Sequence, residues 1–160
     1  MKFTKKNQTT IAKDWETLYN AAKAVVNPKR ISAQMCSGGV GAAVLSAKGN
    51  VYTGVCIDTD CSLGMCAERN AISTMITNDE FAIQMVVAVD KNGQVLPPCG
   101  ACREFMMQLH NANEIQVLVD NAGTVVPLSA LMLLCAYIRK RTQKNRRADK
   151  NSFSFFGKIP

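Results

Sequence analysis

Three thiols and one carboxylate stand at spacings that metal chemistry uses. They are Cys66 and Glu68 in Cys66-Ala67-Glu68-Arg69, then Cys99 and Cys102 in Pro98-Cys99-Gly100-Ala101-Cys102-Arg103. Three thiolates can hold a tetrahedral zinc and leave its fourth position open to water. A glutamate two residues beyond the first thiolate can then carry that water's protons without being a ligand. This donor set fits a hydrolytic deamination: attack of a zinc-activated water on an amidine-like carbon such as C4 of a cytosine. Glu68 would pass protons to the ring nitrogen and to the departing ammonia. The rival reading is a closed structural site, which requires a fourth protein ligand. Cys61, in the loop five residues ahead of Cys66, is the thiol that could supply it.

The spacings also say where these groups must sit. On a helix, residues i and i+2 point roughly 200° apart. Cys66 and Glu68 therefore converge only on a metal near the axis, at the helix's N-terminal end. Cys99 and Cys102, at i and i+3, share one side of a first turn. A zinc placed where two helices begin meets about half a positive charge from each N-terminus. That matters because three thiolates leave the site anionic, which opposes acidification of a bound water. Arg69 and Arg103 are expected to donate to the sulfurs and drain this charge.

The elements that carry these motifs follow from periodicity. Ile11, Trp15, Leu18, Tyr19, Ala22 and Val25 repeat at helical spacing over residues 8–26, and Asn27-Pro28 ends the helix. Val40–Ala47 and Val51–Ile57 read as a hairpin about Lys48-Gly49-Asn50, with a loop from Asp58 to Met65. Helices are predicted over 66–77, 100–110 and 128–139. Apolar runs over 85–89 and 115–119 read as buried strands, and 124–126 as a short one. The alternation predicts a three-layer α/β/α sandwich on a mixed sheet of about five strands.

Composition narrows the class. The chain has 160 residues, 48% of them hydrophobic, so a disordered protein is excluded. The start, though basic, has no apolar stretch of signal-peptide length, and no run spans a bilayer, so a soluble cytoplasmic protein is expected. Seven cysteines, an odd count, suit a reducing compartment better than a disulfide framework. Cys36, Cys56, Cys61 and Cys135 read chiefly as small semi-buried apolar residues. The net charge of +7 resides in residues 139–160, where eight basic side chains face only Asp149, leaving residues 1–138 neutral. The reading is one domain, 1–138, and a basic C-terminal tail, 139–160. Nucleic acid is thus not the expected partner of the domain, and the tail is expected to be solvated. Phe153, Phe155 and Phe156 are unusual in such a tail and could fold over the site. His110 is expected to cap or solvate a helix end, Trp15 to pack in a core or interface, and Asp58 and Asp60 to belong to a loop.

Around these motifs, over about residues 36–134, the chain resembles the cytidine deaminase superfamily, specifically its small homotetrameric branch with three cysteine ligands. Val40-Gly41-Ala42-Ala43, CAER and PCGACR stand in the family's order. The resemblance implies zinc, one per subunit, at Cys66, Cys99 and Cys102, with Glu68 as proton shuttle. It implies pyrimidine salvage on a free cytosine nucleoside, cytidine or deoxycytidine, in a homo-oligomer (tetramer or dimer) whose sites are completed by neighbouring subunits. It also implies that backbone around Ala67 and Pro98-Cys99 reads the cytosine edge. The chain departs from the pattern where substrate is chosen. Gly38 stands where the family places an aromatic, and Cys56 and Asp58 stand where it carries the Asn and Glu that hold ribose. Deaminases of blasticidin S vary at the same places, so a modified cytosine nucleoside is the alternative substrate. A retired deaminase fold that binds RNA through its tail is the alternative of another class.

Overall fold

The computed structural model describes residues 5–109 and 111–132. Helix α1 (Lys5–Ala24) is followed by strands β1 (Lys29–Ser32), β2 (Met35–Ser46) and β3 (Val51–Thr59). Helix α2 (Ala67–Thr77), strand β4 (Ile83–Asp90), helix α3 (Gly100–Met107) and strands β5 (Gln116–Leu118) and β6 (Val125–Pro127) complete the order. Among the described residues the sheet is six-stranded. β3 runs antiparallel to β2 along one edge, and β4 pairs along the other. β4 and β5 are parallel, and β6 returns antiparallel to β5. β1, which the sequence reading lacked, pairs with the first residues of β2, beyond the reach of β4.

Period-two alternation sends neighbouring residues to opposite helical layers. Ala43, Met85, Val87 and Val89 pack with Leu18 and Ala22 of α1. Ala42, Val44, Val86 and Ala88 pack with Ala71, Ile72, Met75 and Met106 of α2 and α3. The expected three-layer α/β/α arrangement follows, with β4 buried on both faces as its unbroken apolar run requires.

Two close contacts position the layers. A Cβ at Gly54 on β3 would lie 2.3 Å from the Ala71 backbone nitrogen, so α2 rests directly on β3 backbone. Gly54→Val should therefore lower stability by about 1–3 kcal/mol or more, as overpacking does, measured as a drop in urea midpoint. At the opposite end, Glu80 is only 6% exposed and receives hydrogen bonds from Asn50 (2.6 Å) and the Tyr52 hydroxyl (3.0 Å). The Ser46 hydroxyl, then Asn50 and Tyr52, hold its carboxyl below the ordinary 4.5. A depressed carboxylate stabilises the fold above its unfolded pKa, and that contribution is lost as pH falls through the folded value. Acid unfolding below the ordinary carboxylate range should thus be shallower in Glu80→Gln than in wild type, measured by chemical denaturation at stepped pH.

The helix predicted over 128–139 is corrected in its described part. Leu128–Leu131 is a single 3-10 turn: Met132 N–H donates to Ser129, three residues back, and Leu128 N–H to Ile115 across the chain. Helix α3 also stops at Met107, short of 110. His110, Cys135, the 139–160 tail and its three phenylalanines lie outside the described residues. Among the described residues no helix is long and apolar enough to cross a membrane.

Candidate active site

Both cysteine motifs open helices. Cys66 is the N-cap of α2, with φ −67° and ψ 152°, and Cys99 is the N-cap of α3, with φ −66° and ψ 168°. Neither thiol lies on a helical wheel, which removes the opposition expected of Cys66 and Glu68. An extended N-cap projects over the first turn, so its side chain meets that of the residue three further on, as in a capping box. Cys99 and Cys102 use that geometry, with their sulfurs 3.5 Å apart.

Strand pairing brings the two helix starts together. Met65 and Ile57 exchange backbone hydrogen bonds of 2.8 Å, which sets Cys66 at the end of β3. Leu96 N–H donates to Ala88 (2.9 Å), and Val95 pairs with Val89, which hangs the segment leading to Cys99 on the end of β4. Cys66 and Cys99 sulfurs are then 3.5 Å apart, and all three sulfurs lie within 4.8 Å of one another. Tetrahedral zinc with bonds of about 2.3 Å needs sulfurs about 3.8 Å apart, so the three thiols can hold a zinc ion. Cys61 is not in the cluster.

The electrostatics fit a cation. Burial, then the Glu68 carboxylate, push the Cys102 thiol far up, and burial, then Cys99, raise Cys66. Burial also works against Cys99, yet the Cys102 backbone N–H at the start of α3 and the two other thiols bring it down. Glu68 is 6% exposed, and burial raises its carboxyl against the Cys102 thiol and the Arg69 charge. The guanidinium of Arg69 donates to the Gly64 carbonyl (3.3 Å); burial opposes its charge, while the Cys66 thiol and the Cys102 charge favour it. Arg103 instead donates to the Leu131 carbonyl at 2.7 Å and to no sulfur among the described residues. Both arginines keep a buried Nε without a partner among the described residues, as donors beside a site built for thiolates can.

A cleft of about 650 Å³ opens above the thiols, within the range of small-molecule sites. Cys66, Ala67, Glu68, Cys99, Cys56 and Asp58 all line it. Gly38 and Pro98 do not; their neighbours Gly39 and Pro97 do. At Gly38 φ is +77°, and a Cβ would lie 2.1 Å from the Asn27 carbonyl oxygen, so no side chain can stand there. Gly38, Gly39 and Val40 oppose the single residue Cys56 in a bulge. The bulge frees the Val40 N–H to donate to the Cys56 sulfur (3.3 Å), while the thiol donates to Asp58 Oδ2 (3.3 Å). Asp90, Lys91 and Leu96 also line the cleft and were missed from sequence. The available signal was their place at and after the carboxyl end of a buried strand, where α/β sheets receive ligands.

The family described as cytidine and deoxycytidylate deaminase zinc-binding region matches residues 14–119. The chain belongs to this deaminase family. It is 32% identical over 85 residues to a probable cytidine deaminase of Dictyostelium discoideum, a match covering 52% of this chain and 58% of that protein. Over 96 residues it is 30% identical to a blasticidin-S deaminase of Bacillus cereus, covering 54% of this chain and 67% of that one. The crystal structure of cytidine deaminase from Mycobacterium tuberculosis superposes with a TM-score of 0.64 at 26% identity, covering 76% of this chain and 95% of that one. Membership in the cytidine and deoxycytidylate deaminases accounts for a fold that sets three thiols and a buried carboxylate under one cleft.

Proposed function

We propose that the protein hydrolytically deaminates a free cytosine nucleoside, releasing ammonia and the corresponding uracil nucleoside. The observation that carries this reading is a cluster of three thiols, Cys66, Cys99 and the fully buried Cys102, of which Cys66 and Cys99 line one cleft of nucleoside size together with the buried Glu68. Cys66, Cys99 and Cys102 would hold zinc, which supplies Lewis acidity that eases proton loss from water. Glu68 takes that proton on a carboxylate oxygen and returns protons to the ring nitrogen and the departing amine. Its raised pKa suits a group that must both accept and donate. Ala67 opens α2, so its N–H has no acceptor within the helix and can read the base edge. Ala67, 1% exposed, and Ala88, 3% exposed, give the cleft an apolar wall. Cys99 is exposed, and Leu63 beside the cleft is 83% exposed, which supports an assembly in which a second subunit covers this rim.

A modified cytosine nucleoside is the second reading, favoured by the thiol of Cys56. Its hydrogen-bonding capacity is spent on Val40 and Asp58, so it offers a ribose little. The intact, cleft-lining Glu68 speaks against a retired fold. Ammonia release from cytidine, deoxycytidine, cytosine and blasticidin S by zinc-loaded protein separates these readings. Release from cytidine or deoxycytidine supports the first, and release from blasticidin S alone the second. No release from any of them overturns both.

A further inference from the structure

Besides Cys66, Cys99 and Glu68, the polar side chains that line the cleft among the described residues are Cys56, Asp58, Thr59, Asp90 and Lys91. Three of these already have their hydrogen-bond partners inside the fold. Asp90 Oδ1 accepts from the backbone N–H groups of Asn92 and Gln94, both at 2.8 Å, and Oδ2 accepts from the Asn92 amide at 3.4 Å. The Thr59 hydroxyl donates to the Cys61 carbonyl (3.0 Å) and accepts from the Cys61 thiol (3.4 Å). Cys56, 8% exposed, is engaged on both sides: its sulfur accepts from the Val40 N–H, and its proton goes to Asp58. Burial raises its pKa against the Val40 N–H, so the group stays a neutral thiol with that one proton to give. Asp58 Oδ1 and the Lys91 ammonium are left, and both residues are exposed.

A pocket built to hydrogen-bond a substrate hydroxyl rejects the analogue without it by about 10⁴–10⁵-fold, because buried polar groups then lose their partner. Cys56, the one buried member of the five, keeps its partners whatever the sugar carries. Asp58 and Lys91, at exposed positions, take water when a hydroxyl is missing. Val40, Ile57, Met65 and Leu96 also line the cleft, and against them a sugar hydroxyl loses water without gaining a partner. We propose that Cys56 relaxes sugar recognition in the nucleoside deamination proposed for this cleft, on which the inference rests: the substrates are cytosine nucleosides with or without 2′- and 3′-hydroxyls, 2′,3′-dideoxynucleosides included. The device is the β2 bulge. Gly38, Gly39 and Val40 stand against one residue of β3, which turns the Val40 N–H out of the ladder and onto the sulfur. A sugar hydroxyl would have to displace that N–H or Asp58 to reach the thiol.

Ammonia release from cytidine and from 2′,3′-dideoxycytidine by zinc-loaded wild type tests this. The two kcat/KM values should agree within about tenfold, far from the ratio of a pocket that reads hydroxyls. Their dissociation constants for zinc-loaded Glu68→Gln, measured by calorimetry, should show the same narrow ratio, which assigns the effect to binding. Cys56→Asn should create discrimination. An amide brings two donors and an acceptor where the fold has partners for one donor and one acceptor, so a donor is left to face the cleft. Dideoxycytidine should then fall behind cytidine by about tenfold or more, the cost of one unpaired buried polar group. A wild-type preference for cytidine above about tenfold overturns the inference and leaves the deaminase standing. So does an unchanged ratio in Cys56→Asn at the wild-type thermal midpoint. Release from neither nucleoside overturns the deamination itself, and the inference with it.

Discussion

Glu68→Gln is expected to keep its zinc and lose turnover by about 10⁴-fold, equal to about 5.5 kcal/mol of barrier. Positioned proton transfer contributes about 10²–10⁴-fold. The upper end applies because one carboxylate serves both the attack and the departure of ammonia. Glutamine preserves shape and hydrogen bonding but cannot take a proton. The site requires that split because Glu68 lies beside the thiols without belonging to their cluster. Folding should not suffer, since a neutral amide costs less to bury than a carboxylate at a position only 6% exposed. Metal analysis of the purified variant should give the same zinc per chain as wild type, and single-turnover assays should show the loss in the chemical step. A variant that deaminates within tenfold of wild type would remove Glu68 from the reaction, and one that arrives without zinc would make it a ligand.

The residues of this site were legible because their chemistry is local. Cys99 and Cys102 lie three apart, and that spacing alone brings two thiols together at a helix start. Cys66 and Glu68 were harder, because a helical wheel sets them on opposite sides. The resolution is a backbone fact: Cys66 is an extended N-cap, one residue outside the helix. Features fixed by distant partners could not be read. The acceptor for Arg103 is the Leu131 carbonyl, 28 residues away, and nothing near Arg103 points to it. β1 is exposed at all four residues, so it has no alternation to detect and exists by pairing with β2. The strand was read from Val40, but β2 begins at Met35 and runs through Gly38 and Gly39, and the left-handed Gly38 becomes part of a bulge. That bulge decides what Cys56 touches, so the substrate end of the cleft was the part least accessible to sequence. The departure at Gly38 nevertheless has a local cause, since the Asn27 carbonyl fills the space of any Cβ.

Cys99→Ala is expected to abolish zinc binding and, with it, ammonia release. Catalytic zinc sites hold the metal through three protein ligands, and two thiols cannot compete with a mild chelator for it. Cys99 is the informative position because it is exposed, whereas Cys102 is fully buried among core residues. Substituting Cys102 would mix the loss of metal with a packing defect. Substituting Cys99 removes a ligand and little else. Its consequence for stability then measures the metal's own contribution. Zinc at a thousandfold excess over its dissociation constant stabilises the native state by about 4 kcal/mol. For a chain of this size that corresponds to about 8–16 °C in thermal midpoint. Wild type stripped by a chelator should fall to the midpoint of Cys99→Ala, and the variant should not respond to chelator at all. Added zinc should restore the wild type and leave the variant where it was. Retention of one zinc per chain by Cys99→Ala would mean that another side chain completes the site, and the three-thiol centre would have to be redrawn.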